Sequence, residues 1–229
     1  MLWSAFYDLV LPEVPGVATA LVDLALRRTA IDLCTQSGIY SLTPTSPITV
    51  QEEIGDYTLV SPDNQAEPIF VWSVEYIYGT SNNVNASSST LGPTTLAILE
   101  GLADYWRNRV GNPVAFTQLA PNTLTLFPLP GTNDVPAILL PRIALRPIST
   151  ATGLADTIAN EYMDGIASGA KARLMRMPNK PWTSLGNSQM YQSEYSSARL
   201  DAKIAAQRTF APAPLQVGMP LQVSQMKVW

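Results

Sequence analysis

Residues 17–37 carry apolar positions at the period of a helix. At about 100° per residue, Val17, Leu21, Leu24 and Ile31 form one stripe, and Val22, Leu26 and Leu33 form a second on nearly the opposite side. A helix that is apolar on two sides is sandwiched, either inside its own bundle or between subunits. Between the stripes, Asp23 with Arg27 and Arg28 with Asp32 stand four residues apart, a spacing at which exposed ion pairs add about 0.2–0.5 kcal/mol each. From residue 43 to about 146 the pattern changes to short apolar runs separated by Pro, Gly, Asn and Asp. This predicts strands at 48–51, 57–60, 69–78, 114–118, 123–127 and 137–146. The small polar run NNVNASSST (82–90) reads as a mobile loop. Leu96, Leu99, Leu102 and Trp106 sit at helical spacing ahead of the turn signal Gly111-Asn112-Pro113, which leaves 94–106 ambiguous.

Helical periodicity returns at 154–177, where Ala159, Met163, Ile166, Ala170, Leu174 and Met177 share a stripe. Asp156 near its start and Arg173 and Arg176 near its end match the helix dipole. Gly165, Ser168, Gly169 and Ala172 form a second strip of small residues. Interior glycines cost about 1 kcal/mol each relative to alanine, so this strip predicts close approach of another helix backbone. Pro178 and Pro181 end the helix, and Trp182 is placed to pin the following turn. A third helix, 184–208, starts from Ser184 as N-cap and carries Tyr191, Tyr195, Ala198, Ala202 and Ala205 in line. The final stretch, 209–229, repeats PLQV at 214–217 and 220–223 and has no charge before Lys227, which favours an extended arm that lies on a partner. The expected fold class is α+β: a discontinuous helical bundle of three main helices with a β-rich insertion and an extended C-terminal arm. The divisions are 1–42 (N-terminal segment and first helix), 43–149 (insertion), 150–208 (closing helices) and 209–229 (arm).

Composition narrows the chemistry. The chain of 229 residues has 14% charged residues, well below the roughly 25% of an average domain. Interface cores are depleted in Lys, Glu and Asp, so low charge suits a surface that faces other protein. With no histidine the commonest general base and metal ligand is missing. Cys34, the single cysteine, reads as a buried inert thiol. The start, MLWSAFYDLVLPEVPG, has neither a basic n-region nor a long apolar run, so a signal peptide or membrane span is not expected, and assembly in the cytoplasm is. Ser168 and Lys171 fit an SxxK spacing, but the serine falls in mid-helix without the accompanying segments of that machinery. Gly165 and Gly169 before Lys171 lack the spacing of a phosphate-binding loop. Glu52, Glu53 and Asp56 could bind a hard cation or move protons, yet read better as a solvated strand end and turn. Tyr105, Trp106 and Trp182 could stack on bases, but net charge −4 argues against a nucleic-acid reader. No catalytic, metal or cofactor site is expected. Residues 153–229 hold eight Lys/Arg against five Asp/Glu, whereas 1–152 hold six against thirteen. The two parts are suited to different environments, as in a piece stacked between partners or in a dimer.

Short islands in order along most of the chain resemble one family. They are Leu11-Pro12-Glu13-Val14-Pro15-Gly16; Ala25 to Cys34 with Ser37 and Tyr40; Trp106 with Gly111-Asn112-Pro113; and Leu124-Thr125-Leu126-Phe127-Pro128-Leu129-Pro130. Further on come Leu145-Arg146-Pro147, Leu154-Ala155-Asp156, Tyr162 with Ile166-Ala167-Ser168-Gly169-Ala170, and Arg173-Leu174 with Pro178-Asn179-Lys180-Pro181-Trp182. Together they resemble the head-to-tail adaptor, or connector, proteins of short-tailed bacteriophages, the tail-tubular-protein-A-like family. Tyr40 stands where that pattern has Trp, and Ala155 where it has Pro; both positions concern packing or a helix start. The resemblance implies a non-enzymatic virion protein of the neck, in a ring of about twelve copies closed by identical heterologous contacts. The ring would join the portal protein above to the tail nozzle below, with possible contacts to tail fibre components. Genomic DNA would pass through its channel without sequence-specific binding, and no membrane would be involved. The expected subunit and partner contacts are Leu21, Leu24, Arg27, Arg28, Lys171, Arg173, Arg176 and Trp182, with Leu215, Val217, Leu221, Val223 and Trp229 on the arm. A soluble helical module that binds or dimerises without a virion role is the alternative reading.

Overall fold

The computed structural model describes residues 1–79, 87–102 and 105–208. Within these, six α-helices and eight strands follow in the order α1 (Tyr7–Val10), α2 (Thr19–Ser37), β1 (Ser41–Leu42), β2 (Ile48–Thr49), β3 (Asp56–Thr58), β4 (Ala66–Tyr78) and β5 (Ser88–Pro93). Then come α3 (Leu96–Leu102), β6 (Ala115–Ala120), β7 (Thr123–Phe127), β8 (Ala137–Pro147), α4 (Asp156–Glu161), α5 (Met163–Met175) and α6 (Leu185–Arg208).

The backbone of the molecule is the antiparallel pair β4–β8, in register from Ala66↔Pro147 to Tyr78↔Ala137 with two irregularities, at Pro68/Phe70 and Val71/Ser73. From Ala137 to Ile143 strand β8 alternates between buried and half-buried positions, so that Ala137, Leu139, Pro141 and Ile143 point to one side, and Ala144 and Leu145 are both buried after it. Its other edge takes β1 and β2 in turn. On the far side β5 pairs with β4, then leaves it to run parallel with β6 at Gly92 and Pro93. Where β5 departs, Gln118 of β6 fills the gap: its Oε1 accepts from the Val71 N–H at 3.1 Å and its Nε2 donates to the Ile69 carbonyl at 3.3 Å. Strands β7 and β3 complete the order β1-β8-β4-β5-β6-β7-β3. The result is a mixed eight-stranded sheet curled as a half-barrel.

This corrects the expected fold class. The molecule is not a three-helix bundle carrying an insertion, because the sheet shares its core with the helices. Leu26 and Leu33 of α2, Tyr76 of β4, Leu139 and Ile143 of β8, and Ile166 and Leu174 of α5 belong to one buried cluster. Amphipathic helices need an apolar surface to cover, and here the sheet supplies it. The single helix expected over 154–177 is two, α4 and α5, which meet at Tyr162 with φ −113° and ψ 21°. The run 82–90 reads as a loop, yet Ser88, Ser89 and Thr90 belong to β5, where cross-strand pairing to Ile77, Tyr76 and Glu75 overrides polar composition. The rest of that run and the arm 209–229 lie outside the described residues.

Helix α2 ends where its pattern says it should. Gly38 has φ +65°, a left-handed cap, and its N–H donates to the Cys34 carbonyl at 2.8 Å. Phe70 and Trp72 press ring atoms to within 2.8 Å of where a Cβ would stand, so glycine is required for packing as well as for backbone.

Candidate assembly surface

Helices α2, α5 and α6 pack against one another in a layer. Their mutual closeness depends on the small-residue strip. A Cβ at Gly165 would lie 2.5 Å from the Cβ of Ala198 on α6, and one at Gly169 would run into Thr29 of α2 and the Tyr195 ring. Ser168 Oγ donates to Glu194 at 2.8 Å, and Ser188 Oγ donates to the Ala172 carbonyl at 2.8 Å. The close helix approach read from the strip is therefore present, and the partners are α6 and α2.

Asp32 ties the three helices by charge. It accepts a 2.6 Å bond from Tyr195 Oη on α6, and its carboxylate lies 3.8 Å from Arg173 and 3.7 Å from Arg199. Burial, then the bond to Asp32, pushes the Tyr195 phenol well up. The i,i+4 pairs expected within α2 do not form. Asp23 instead accepts from Tyr7 Oη at 2.8 Å, Arg27 donates to the Ser149 carbonyl at 2.8 Å, and Arg28 is exposed. Tertiary partners displaced local ones, as expected when a local pair is worth only about 0.2–0.5 kcal/mol.

The residues singled out from sequence fall into distinct settings. Leu24, Arg28, Arg173 and Arg176 are exposed. Leu21 and Trp182 are half-buried and pack against the core, and the Trp182 Nε1 has no partner among the described residues. Lys171 is half-buried with its ammonium 4.1 Å from the centre of the Tyr191 ring, a cation–π contact to α6. The second stripe of α2 is the core-facing one, with Val22 and Leu26 fully buried and Leu33 nearly so. On the first stripe Val17 is buried, Leu21 and Ile31 are half-buried, and Leu24 is 37% exposed, so part of the helix's second apolar face has no cover among the described residues. Leu215, Val217, Leu221, Val223 and Trp229 lie outside the described residues.

Sequence reasoning missed the outer ridge of α6. Met190 and Leu200 are 50% and 58% exposed, and Ser193 and Ser197 lie between them with half-buried Ile204 beyond. Their spacing of 190, 193, 197, 200 and 204 is as regular as that of the tyrosine line and falls roughly opposite it. The tyrosine line is the stronger signal, because aromatic residues dominate buried area. Ile98 of α3, Val114 just before β6 and Leu119 of β6 are also exposed, at 53%, 57% and 45%.

Of the remaining candidates, Glu53, Asp56 and Trp106 line one cavity of about 320 Å³, together with Arg107 and Asn108. Glu52 accepts from Thr132 Oγ1, Asp56 accepts from Thr125 Oγ1 at 2.6 Å, and Glu53 is exposed with φ +57°. Among the described residues no group of three His, Cys, Asp or Glu could hold a metal ion. Cys34 is fully buried, and burial pushes its thiol up to about 12. Among the described residues no helix is long and apolar enough to cross a membrane.

A search of curated proteins finds no match to this chain. A family model described as SU10 adaptor protein matches residues 6–218. That span includes the islands that resemble head-to-tail adaptors, the helical layer and the sheet, so the match concerns the whole fold. The narrower likeness to tail-tubular-A proteins rests on the islands alone. The chain belongs to the SU10 adaptor protein family, a family of bacteriophage structural adaptors.

Proposed function

We propose that the protein is a neck component that assembles as a ring of about twelve copies between the portal and the tail nozzle, continuing the DNA channel. The observation that carries this reading is the uncovered apolar surface of the helical layer: Leu24 on α2 with Met190 and Leu200 on α6, in a chain of the adaptor family. Exposed apolar side chains aligned along one layer gain stability only when covered, and a ring of heterologous contacts covers the same patch in every copy. The exposed apolar residues Ile98, Val114 and Leu119 within 43–149 are open to a different partner, such as the nozzle or fibre components. The arm 209–229, whose one charged side chain is Lys227, acts as an adhesive segment toward the portal or a neighbouring copy. DNA is held in the channel without sequence readout, and no step of the role is catalytic.

The test is to mix the purified protein with its portal and measure the mass of the complex. A stoichiometric assembly on portal rings supports the reading. A free dimer that ignores the portal would favour the alternative, a helical dimerisation module without a virion role.

A further inference from the structure

Helix α6 carries opposite charges on its two flanks. At about 100° per residue, Glu194 and Asp201 fall on one side, and Arg199 and Lys203 fall on the order of 140–180° away. The buried line of Tyr191, Tyr195, Ala202 and Ala206 lies between them on the inside, and the Met190–Leu200 ridge lies between them on the outside. Intramolecular contacts fix which neighbour each flank overlooks. The acidic flank lies over α5 and its junction with α4: Glu194 accepts from Ser168, Ala198 stands over Gly165, and Asp201 is close enough to act on the Tyr162 phenol together with Glu161. Exposed Asp164 adds to that side. The basic flank lies over the end of α2, where Gln36, Ser196, Arg199, Leu200 and Lys203 enclose a groove of about 340 Å³.

Within the described residues the basic flank is only partly neutralised, and the acidic flank has no ion pair. Asp32 faces the groove side, but its one carboxylate is shared between Arg173 and Arg199 at 3.7–3.8 Å, and Lys203 has no ion pair. Asp201 has none either. Arg28, on the exposed side of α2, adds a further positive charge to that helix.

We propose that the groove between α2 and α6 receives the acidic flank of a second copy of the same chain, so that Arg199 and Lys203 of one subunit face Asp201, Glu161 and Asp164 of the next. The inference rests on the ring reading and specifies its electrostatic register. A head-to-tail contact needs two different, complementary patches on every subunit, and α6 provides them on its two sides. Like charges brought together would reject the reversed orientation, so the same arrangement sets the direction of the ring. Leu200, exposed at the lip of the groove, places apolar contact beside the ion pairs.

The experiment compares K203E, D201K and their equimolar mixture, using self-association of the full chain in the presence of its portal, measured by mass at low and moderate salt. Each variant alone juxtaposes like charges across the contact, two acids in K203E and two bases in D201K, and should associate roughly tenfold more weakly or worse. In the mixture every alternating contact regains opposite charges, so assembly should recover, and recovery should fade as salt rises. Circular dichroism of each variant checks folding, and both positions are exposed. Wild-type assembly with both variants unaffected overturns the inference and leaves the ring reading standing. Impaired variants that the mixture does not restore also overturn it, placing these charges against another partner. A wild-type chain that stays monomeric on the portal removes the ring reading and this inference together.

Discussion

Gly169 and Gly186 are both glycines in or at the start of helices, and they should behave oppositely on substitution. A side chain at Gly169 meets Thr29 and the Tyr195 ring within the helix layer, whereas nothing lies within 4 Å of a Cβ at Gly186. Gly169→Leu should therefore destabilise by about 1–3 kcal/mol or more through overpacking. Gly186→Ala should stabilise by up to about 1 kcal/mol, because alanine loses less backbone freedom on folding. Urea unfolding of the two variants checks both signs at once. Cys34 gives a pH prediction. Burial raises its thiol from 9.0 to about 12, and the Tyr40, Tyr76 and Tyr195 phenols are raised from 10.0 in the same direction. Groups held protonated by the fold stabilise it fully below their unfolded values and lose that contribution as pH climbs toward the folded ones. The thermal midpoint should thus hold to about pH 9 and then fall, by up to about 1.4 kcal/mol of stability per pH unit for the thiol alone. A midpoint unchanged at pH 11 would contradict the buried, protonated thiol.

At the scale of elements, the layer α2–α5–α6 depends on Asp32 as much as on the glycines. Asp32→Ala removes the Tyr195 bond and leaves Arg173 and Arg199 near one another without an anion, and should cost about 1–3 kcal/mol. Tyr195→Phe, which keeps the ring, should cost about 1 kcal/mol, and a double-mutant cycle should show the two losses overlapping. These helices were largely legible in the sequence. The α2 periodicity, the small-residue strip and the start of α6 after Ser184 are local signals, and α2 and α6 lie within a few residues of their expected places. Strands with strong β-branched or alternating runs, β4, β7 and β8, were legible for the same reason. What sequence could not supply was non-local. The long β4–β8 pairing makes the sheet part of the core, and only that pairing distinguishes a helical layer on a half-barrel from a bundle with an insertion. Strand β5 was hidden because Ser88, Ser89 and Thr90 carry turn composition and are held by their partners on β4. Asp32 was read with Arg28, its sequence neighbour, while its partners stand more than a hundred residues away on α5 and α6.

For the whole molecule, surface position separates stability from assembly. Leu24 and Leu200 are 37% and 58% exposed, so Leu24→Glu with Leu200→Glu should leave the urea midpoint nearly unchanged, within about 0.5 kcal/mol, as surface substitutions do. The same pair should weaken assembly on the portal by tenfold or more, since charge on an apolar contact must be desolvated. Deleting 209–229 should lower portal occupancy without changing the fold, because an arm with so little charge gains affinity only by lying on a partner; undiminished occupancy would rule out that role for the arm. That this adaptor works as a ring on the portal is tested most directly by electron microscopy of the purified protein mixed with its portal. The expected image is a closed ring coaxial with the portal, about twelve copies around, with the α2–α6 layer at the contacts between subunits. Portal rings left bare, with the protein free as monomers or dimers, would contradict it.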